Sequence, residues 1–145
     1  MATRPVWQVT AIRQAMKLAV WLYRRSGGAI GSTIRGAPVL LLTTTGRKTG
    51  RIWTTPLIYG RDDDRLVLIG AFAGSDRQPA WWLNLRGNKR GTVQLGTDTF
   101  DVVPREADGE ERERLWAKMV EIYRGYDRYA TKTTRRLPVV VLERA

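Results

Sequence analysis

The residues best suited to chemistry stand in one short run, Thr43-Thr44-Thr45-Gly46-Arg47-Lys48-Thr49-Gly50-Arg51. It holds three bases, two glycines and four hydroxyls within the reach of a turn. Glycines let backbone N–H groups approach an oxyanion closely. Arg47 and Arg51 can fork phosphate or carboxylate oxygens, and Lys48 adds a point charge. Anion binding is one reading of this run, and a solvated basic turn is the other. The run lacks the G-x-x-x-x-G-K-[ST] spacing of a P-loop.

Two further features bear on a site. Gly70-Ala71-Phe72-Ala73-Gly74-Ser75, followed by Pro79-Ala80-Trp81-Trp82, puts small residues and free N–H groups ahead of a helix start. Trp81 and Trp82 either wall a flat ligand or fill the core. Tyr123, Tyr126 and Tyr129 recur at a spacing of three. They either pack with their hydroxyls outward, or form a lid that stacks on a planar molecule and donates a phenolic proton. Asp62-Asp63-Asp64 reads as a solvated turn, and no metal site is expected.

Composition narrows the chemistry. The 145 residues include no Cys and no His. That excludes a disulfide framework, thiolate or imidazole metal sites, and any nucleophile–base pair built on Cys or His. Hard chemistry must come from carboxylates, hydroxyls, Lys or a bound organic cofactor. The net charge is +11, and it is uneven. The first acid is Asp62, and Arg4, Arg13, Lys17, Arg24, Arg25, Arg35, Arg47, Lys48 and Arg51 all precede it. One part of the protein therefore attracts anions: a polyanionic small molecule, nucleic acid or an anionic membrane.

The elements that must position these residues follow from periodicity. Residues 10–25 carry a helical pattern with Ile12, Ala15, Met16, Ala19, Leu22 and Tyr23 on one face, Thr10 as cap and Gly27-Gly28 as stop. Residues 26–37 read as a loop. Strands are predicted at 38–45, 52–59, 66–69, 91–96, 97–105 and 138–142, with Pro56 marking an edge or bulge. A short helix is predicted over 78–85, capped by Ser75 or Asp76, and a longer one over 109–123 with acids at its start. The expected fold is α+β: a six-stranded antiparallel split barrel with about three helices, in one domain spanning 1–145. The N-terminal 1–30 form a peripheral helix in that reading. Its apolar core is too short for a signal peptide or a membrane span, which with the absence of Cys suggests a cytoplasmic protein. The basic helix either packs on the barrel or lies on the inner face of the cell membrane. No RNP, KH or helix-turn-helix pattern appears, so nucleic acid is not expected as a partner.

Taken together, Leu40 through Gly50, Thr55-Pro56-Leu57, Pro79-Ala80-Trp81 with Leu83-Asn84-Leu85, and Tyr123, Tyr126, Tyr129, Thr134, Arg135 and Pro138-Val139-Val140-Val141 resemble the deazaflavin-dependent nitroreductase family. The resemblance runs from about Arg24 to the end. It implies a flavin-mononucleotide-binding-like split barrel that uses reduced 8-hydroxy-5-deazaflavin, coenzyme F-420, a carrier with a phosphate and a polyglutamate tail. The hydride would pass to a planar, electron-poor acceptor: a quinone, nitroaromatic or unsaturated lactone. Carried over by position, Arg47, Lys48 and Thr49 hold the phosphate and tail. Trp53, Thr54, Thr55, Pro56, Leu57 and Ile58 run along the ring and ribityl chain. Ile69, Gly70, Ala71 and Phe72 meet the ring's polar edge through backbone groups. Ala80, Trp81, Trp82, Leu83 and Asn84 border the tail and phosphate. Tyr126 closes the site as cofactor contact and catalytic proton donor, and Tyr123, Tyr126 and Tyr129 take the acceptor. The family often has Ser-Lys-Gly-Gly where this chain has Ala71-Phe72-Ala73-Gly74, so backbone contacts survive where side-chain ones do not. A related barrel using FMN is the second reading, and a basic nucleic-acid binder the third.

Overall fold

The computed structural model describes residues 6–145, with side chains from Thr10 onward. Helix α1 (Val6–Ser26) leads by a glycine-rich loop into the short β1 (Thr33–Ile34) and then β2 (Ala37–Thr45). β3 (Ile52–Ile58), β4 (Gly60–Asp62) and β5 (Arg65–Ile69) follow, then a 3-10 turn at Phe72–Gly74 and α2 (Ala80–Asn88). β6 (Gly91–Leu95) and β7 (Asp98–Glu106) form a hairpin, α3 (Gly109–Ile122) and α4 (Gly125–Thr131) are consecutive, and β8 (Val139–Arg144) ends the fold.

All strand pairs are antiparallel, in the order β1-β2-β6-β7-β8-β5-β4, with β3 on the other edge of β2. β3 and β4 are two halves of one chain segment broken only at Tyr59, so the sheet curls back on itself as a split barrel. The six predicted strands are all present. Additional to the expectation are the small hairpin strand β1 inside the expected loop, β4 where a turn was expected around Asp62, and α4, which makes four α-helices among the described residues where about three were expected.

Alternation along the strands builds the core. Leu40 and Leu42 of β2, Leu66 and Leu68 of β5, Val93, Val102, Val140 and Leu142 point into the barrel, where α2 plugs it with Trp81, Trp82 and Leu85. The opposite faces of β5 and β8, with Val67, Ile69, Val139 and Val141, pack against Leu115 and Met119 of α3 and Tyr126 of α4. Val39 and Leu41 lie under Tyr23 of α1. β2 and β8 are thus apolar on both faces, which is why they read as continuous apolar runs rather than alternating ones.

Three local expectations are corrected. Thr10 lies inside α1 rather than at its cap, because the helix begins at or before Val6. The face drawn through Ile12, Ala15 and Met16 is exposed; among the described side chains, α1 is buried against the barrel in its C-terminal half, through Tyr23 and its neighbours. α2 starts at Ala80 after Pro79, not from Ser75 or Asp76, since Pro79 presets the entry backbone and Asp76 is taken by the Thr133 hydroxyl.

The acidic turn also differs from its reading. Asp62 is 5% exposed. It accepts hydrogen bonds from Arg114 at 2.7 and 3.0 Å and from Arg65 at 2.8 Å, with Lys118 nearby. The Arg114 bond, helped by the surrounding cations, pushes its carboxyl down to about 2 against the cost of burial. Asp62 tethers α3 to the β4–β5 hairpin.

Candidate functional site

The basic run forms the β2–β3 turn, closed by Gly46 N–H to the Arg51 carbonyl at 2.6 Å and Gly50 N–H to the Gly46 carbonyl at 2.9 Å. Gly50 has φ 71°, which only glycine adopts cheaply. α2 braces the turn from inside the barrel. Buried Asn84 accepts at Oδ1 from the Arg47 backbone N–H (3.1 Å) and its guanidinium (3.2 Å), and Asn88 donates to the Thr45 carbonyl at 2.6 Å. Arg51 lies over the Trp53 ring at 5.0 Å. Arg47, Lys48, Thr49 and Arg51 are exposed, and none of the three cations has an ion pair among the described residues. Three unneutralised charges on a braced turn suit a polyanion.

Next to this turn the barrel opens. β4 and β5 pair as Gly60↔Val67, Arg61↔Leu66 and Asp62↔Arg65. Continued upward, that register would pair Ile58 with Ile69 and Pro56 with Ala71, but β3 pairs only with β2. The strands splay after Tyr59. The split therefore has two lips, residues 52–58 on one side and 68–72 on the other, and Pro56 sits on the open edge, where its missing N–H costs nothing. Trp53 to Ile58 pair with β2 while Leu68 and Ile69 pair with β8, so the two runs share no pairing beyond Gly60. The pleat divides the first run. Leu57 packs on the barrel core, while Ile58 packs toward Tyr23 and Thr54 meets α1.

α1 closes one side of the open edge over a cavity of about 530 Å³, walled by Met16, Val20, Trp21 and Arg24 from the helix and Trp53 and Thr54 from the strand. Arg24 donates to Thr54 Oγ1 at 2.8 Å, and Thr54 Oγ1 lies 2.9 Å from Thr43 Oγ1. Trp81 and Trp82 are 7% and 2% exposed in the barrel core, the alternative the sequence left open. Ala80 is exposed and Leu83 half-buried in the first turn of α2, whereas it is the later residues Asn84, Gly87 and Asn88 that reach the β2–β3 turn.

The tyrosines straddle the α3–α4 junction. Tyr126 is buried beside Trp116, Tyr123 and Tyr129, with ring centroids 5.2 to 6.5 Å apart. Burial, then the neighbouring phenols, push its hydroxyl above the ordinary tyrosine range, so it stays protonated. That hydroxyl has no hydrogen-bond partner among the described residues. The Tyr123 and Tyr129 hydroxyls lie 3.0 Å apart, and Arg35 donates to Tyr123 at 3.2 Å. The hydrogen bond to Tyr123 pushes Tyr129 up as well.

Sequence reasoning missed three arginines. Arg24 and Arg35 come from the N-terminal region and reach residues 30 and 88 positions away. Arg135 binds the 70–78 loop from 57 to 65 positions away. A lone arginine carries no local signal for a partner that distant.

Known proteins resemble this chain over most of its length. Residues 15–144 match the model of the F420H(2)-dependent quinone reductase family. A Mycobacterium tuberculosis protein named F420H(2)-dependent quinone reductase is 38% identical over 135 residues, covering 90% of this chain and 91% of its own. A solved F420-H2 dependent reductase, FDR-A, is 36% identical with a TM-score of 0.67, over 73% of this chain and 94% of that one. A solved structure described as a domain-swapped dimer is 30% identical with a TM-score of 0.70, over 94% of this chain and 99% of that one. The carrier is thus reduced coenzyme F-420, and the FMN reading is not needed. With its split barrel and the match over nearly its whole length, the chain belongs to the F420H(2)-dependent quinone reductase family and is an oxidoreductase.

Proposed function

We propose that the reduced deazaflavin lies across the split, its phosphate and tail on Arg47, Lys48 and Thr49 and its ring between the lips at 52–58 and 68–72. The observation that carries this is the register break after Tyr59. It leaves two distant runs unpaired with each other at one opening, with the unpaired basic turn at its end. When bound, the carrier supplies the hydride. The protein's own part is proximity, orientation and exclusion of water. Gly70, Ala71 and Phe72 meet the ring's polar edge through their backbone, and Asn84 holds the turn in shape. Trp81 and Trp82 act beneath the site as core. The proton that completes hydroquinone formation comes from the phenol of Tyr126, which burial keeps protonated. Tyr123 and Tyr129 border the acceptor, with nitroaromatics and unsaturated lactones as further acceptors of the same flat, electron-poor kind.

The quinone enters through the cavity between α1 and β3, between the indoles of Trp21 and Trp53. A lipophilic quinone has to be met at a membrane. Among the described residues no helix is long and apolar enough to cross one. Instead α1 exposes Leu18, Trp21 and Arg25 at i, i+3 and i+7, a stripe that suits the inner, anionic surface of the cell membrane. In this reading one domain holds the whole site, and its basic charge serves the anionic carrier and surface rather than nucleic acid. The test is a fluorescence titration of oxidised deazaflavin. Arg47→Ala with Lys48→Ala is expected to raise the Kd by at least about tenfold, roughly 1.4 kcal/mol. Unchanged binding would refute the seat.

A further inference from the structure

The loop after β5 has an unusual shape. Ala71 is right-handed (φ −80°, ψ −39°), and Phe72 and Ala73 follow at φ 45° and 51°. Two consecutive non-glycine residues with positive φ cost roughly 1–2 kcal/mol each. A right-handed residue followed by a left-handed one turns successive N–H groups toward one point, forming a nest that receives an anionic or partly negative oxygen. The N–H groups of Ala71, Phe72 and Ala73 have no acceptor among the described residues, whereas those of Gly70, Gly74 and Ser75 bond to the carbonyls of Pro138, Ala71 and Phe72.

One side chain holds that shape. Arg135 donates from Nε to the Ser75 carbonyl (2.7 Å), from Nη1 to the Gly70 carbonyl (3.1 Å) and Gln78 Oε1 (3.0 Å), and from Nη2 to the Ala71 carbonyl (2.8 Å). It takes the loop's carbonyls on one side and leaves the N–H groups to the other. No carboxylate forms an ion pair with it among the described residues. Asp76 acts on the guanidinium only from beyond ion-pair distance, so its charge is offset only in part. The remainder adds to the N–H dipoles at the nest.

We infer that Arg135 is a positioning residue that shapes and polarises the 70–75 nest to receive the ionisable pyrimidinedione edge of the reduced deazaflavin. This rests on the seat proposed above. The loop discriminates by charge. It favours the reduced ring with its nitrogen–carbonyl edge ionised over the same ring with that edge protonated. Ala71 and Phe72 carry no polar side-chain group, so backbone N–H groups do this work with Arg135 behind them.

The experiment is a pH titration of the absorbance of reduced deazaflavin bound to the full-length protein, against the free molecule. Wild type is expected to lower the apparent ionisation pKa of the bound ring by about one unit or more, as expected for charge and hydrogen bonds favouring the ionised form. Arg135→Gln is expected to return it toward the free value while the oxidised carrier binds within about threefold, and Arg135→Lys to recover part of the shift. If the wild-type protein binds the reduced carrier with no shift, the inference fails whatever the variants do. If Arg135→Gln folds and keeps the full shift, Arg135 has no such role. Either failure leaves the seat standing, provided Arg47→Ala with Lys48→Ala still weakens binding. If that pair binds normally, the seat itself is wrong.

Discussion

Tyr126 and Asn84 illustrate how a residue's role depends on what surrounds it. Both are buried polar side chains. Asn84 has its oxygen and nitrogen committed, to Arg47 and Thr44, and so fixes the turn. Tyr126 has no hydroxyl partner among the described residues and a phenol pushed up by burial. That phenol holds its proton at neutral pH, although the same burial disfavours the phenolate that donation would leave. Replacing Tyr126 with Phe is expected to lower turnover at saturating reduced deazaflavin by at least about tenfold, because a positioned general acid contributes that much or more. The carrier's Kd is expected to stay within about twofold. Stopped-flow oxidation with excess quinone checks both, and an unaffected rate would move the proton to the Tyr123–Tyr129 pair or to solvent.

At the scale of elements, the β4–β5 hairpin decides where the barrel opens, and Asp62 ties it to α3. The folded carboxyl sits at about 2, below its ordinary value, with the Arg114 hydrogen bond as the main cause. Its contribution to stability is thus complete above about pH 4 and is lost as pH falls through about 2. Urea midpoints at pH 6 and pH 2.5 are expected to separate wild type from Asp62→Asn at the first pH and to narrow that gap markedly at the second. An equal gap at both would mean the ion pairs do not stabilise the tether. Much of this architecture was legible in the sequence. β2, β5 and β8 were apolar runs with turn residues around them, and Pro56 marked the open edge. The basic turn showed itself by type and spacing. The exposed half of α1 did not, because helical periodicity reports an apolar face and not whether anything covers it. Nor did the burial of Asp62, since its partners Arg114 and Lys118 lie on a helix more than fifty residues away. The lips of the split needed the register break, which is a property of paired strands and not of either strand alone.

For the whole molecule, the proposed function gives the charge asymmetry two separate uses. The β2–β3 turn presents cations to a soluble polyanion, and α1 presents Leu18, Trp21 and Arg25 outward. Leu18→Asp with Arg25→Glu is expected to weaken partition onto phosphatidylglycerol vesicles at least about tenfold at low salt, since each surface base near an anionic leaflet is worth about 1 kcal/mol. Neither residue lines the cavity, so turnover with a short-chain, water-soluble quinone is expected to persist. Co-sedimentation and a solution assay on the same preparation check this, and equal partition of both proteins would remove the membrane from the account.

The claim on which the rest depends is where the carrier sits. A crystal structure of the protein with oxidised deazaflavin tests it most directly. The account predicts the phosphate and first tail carboxylates within hydrogen-bond distance of Arg47, Lys48 and Thr49, and the ring between residues 52–58 and 68–72. A ring bound outside the split, or a tail directed away from the β2–β3 turn, would contradict it.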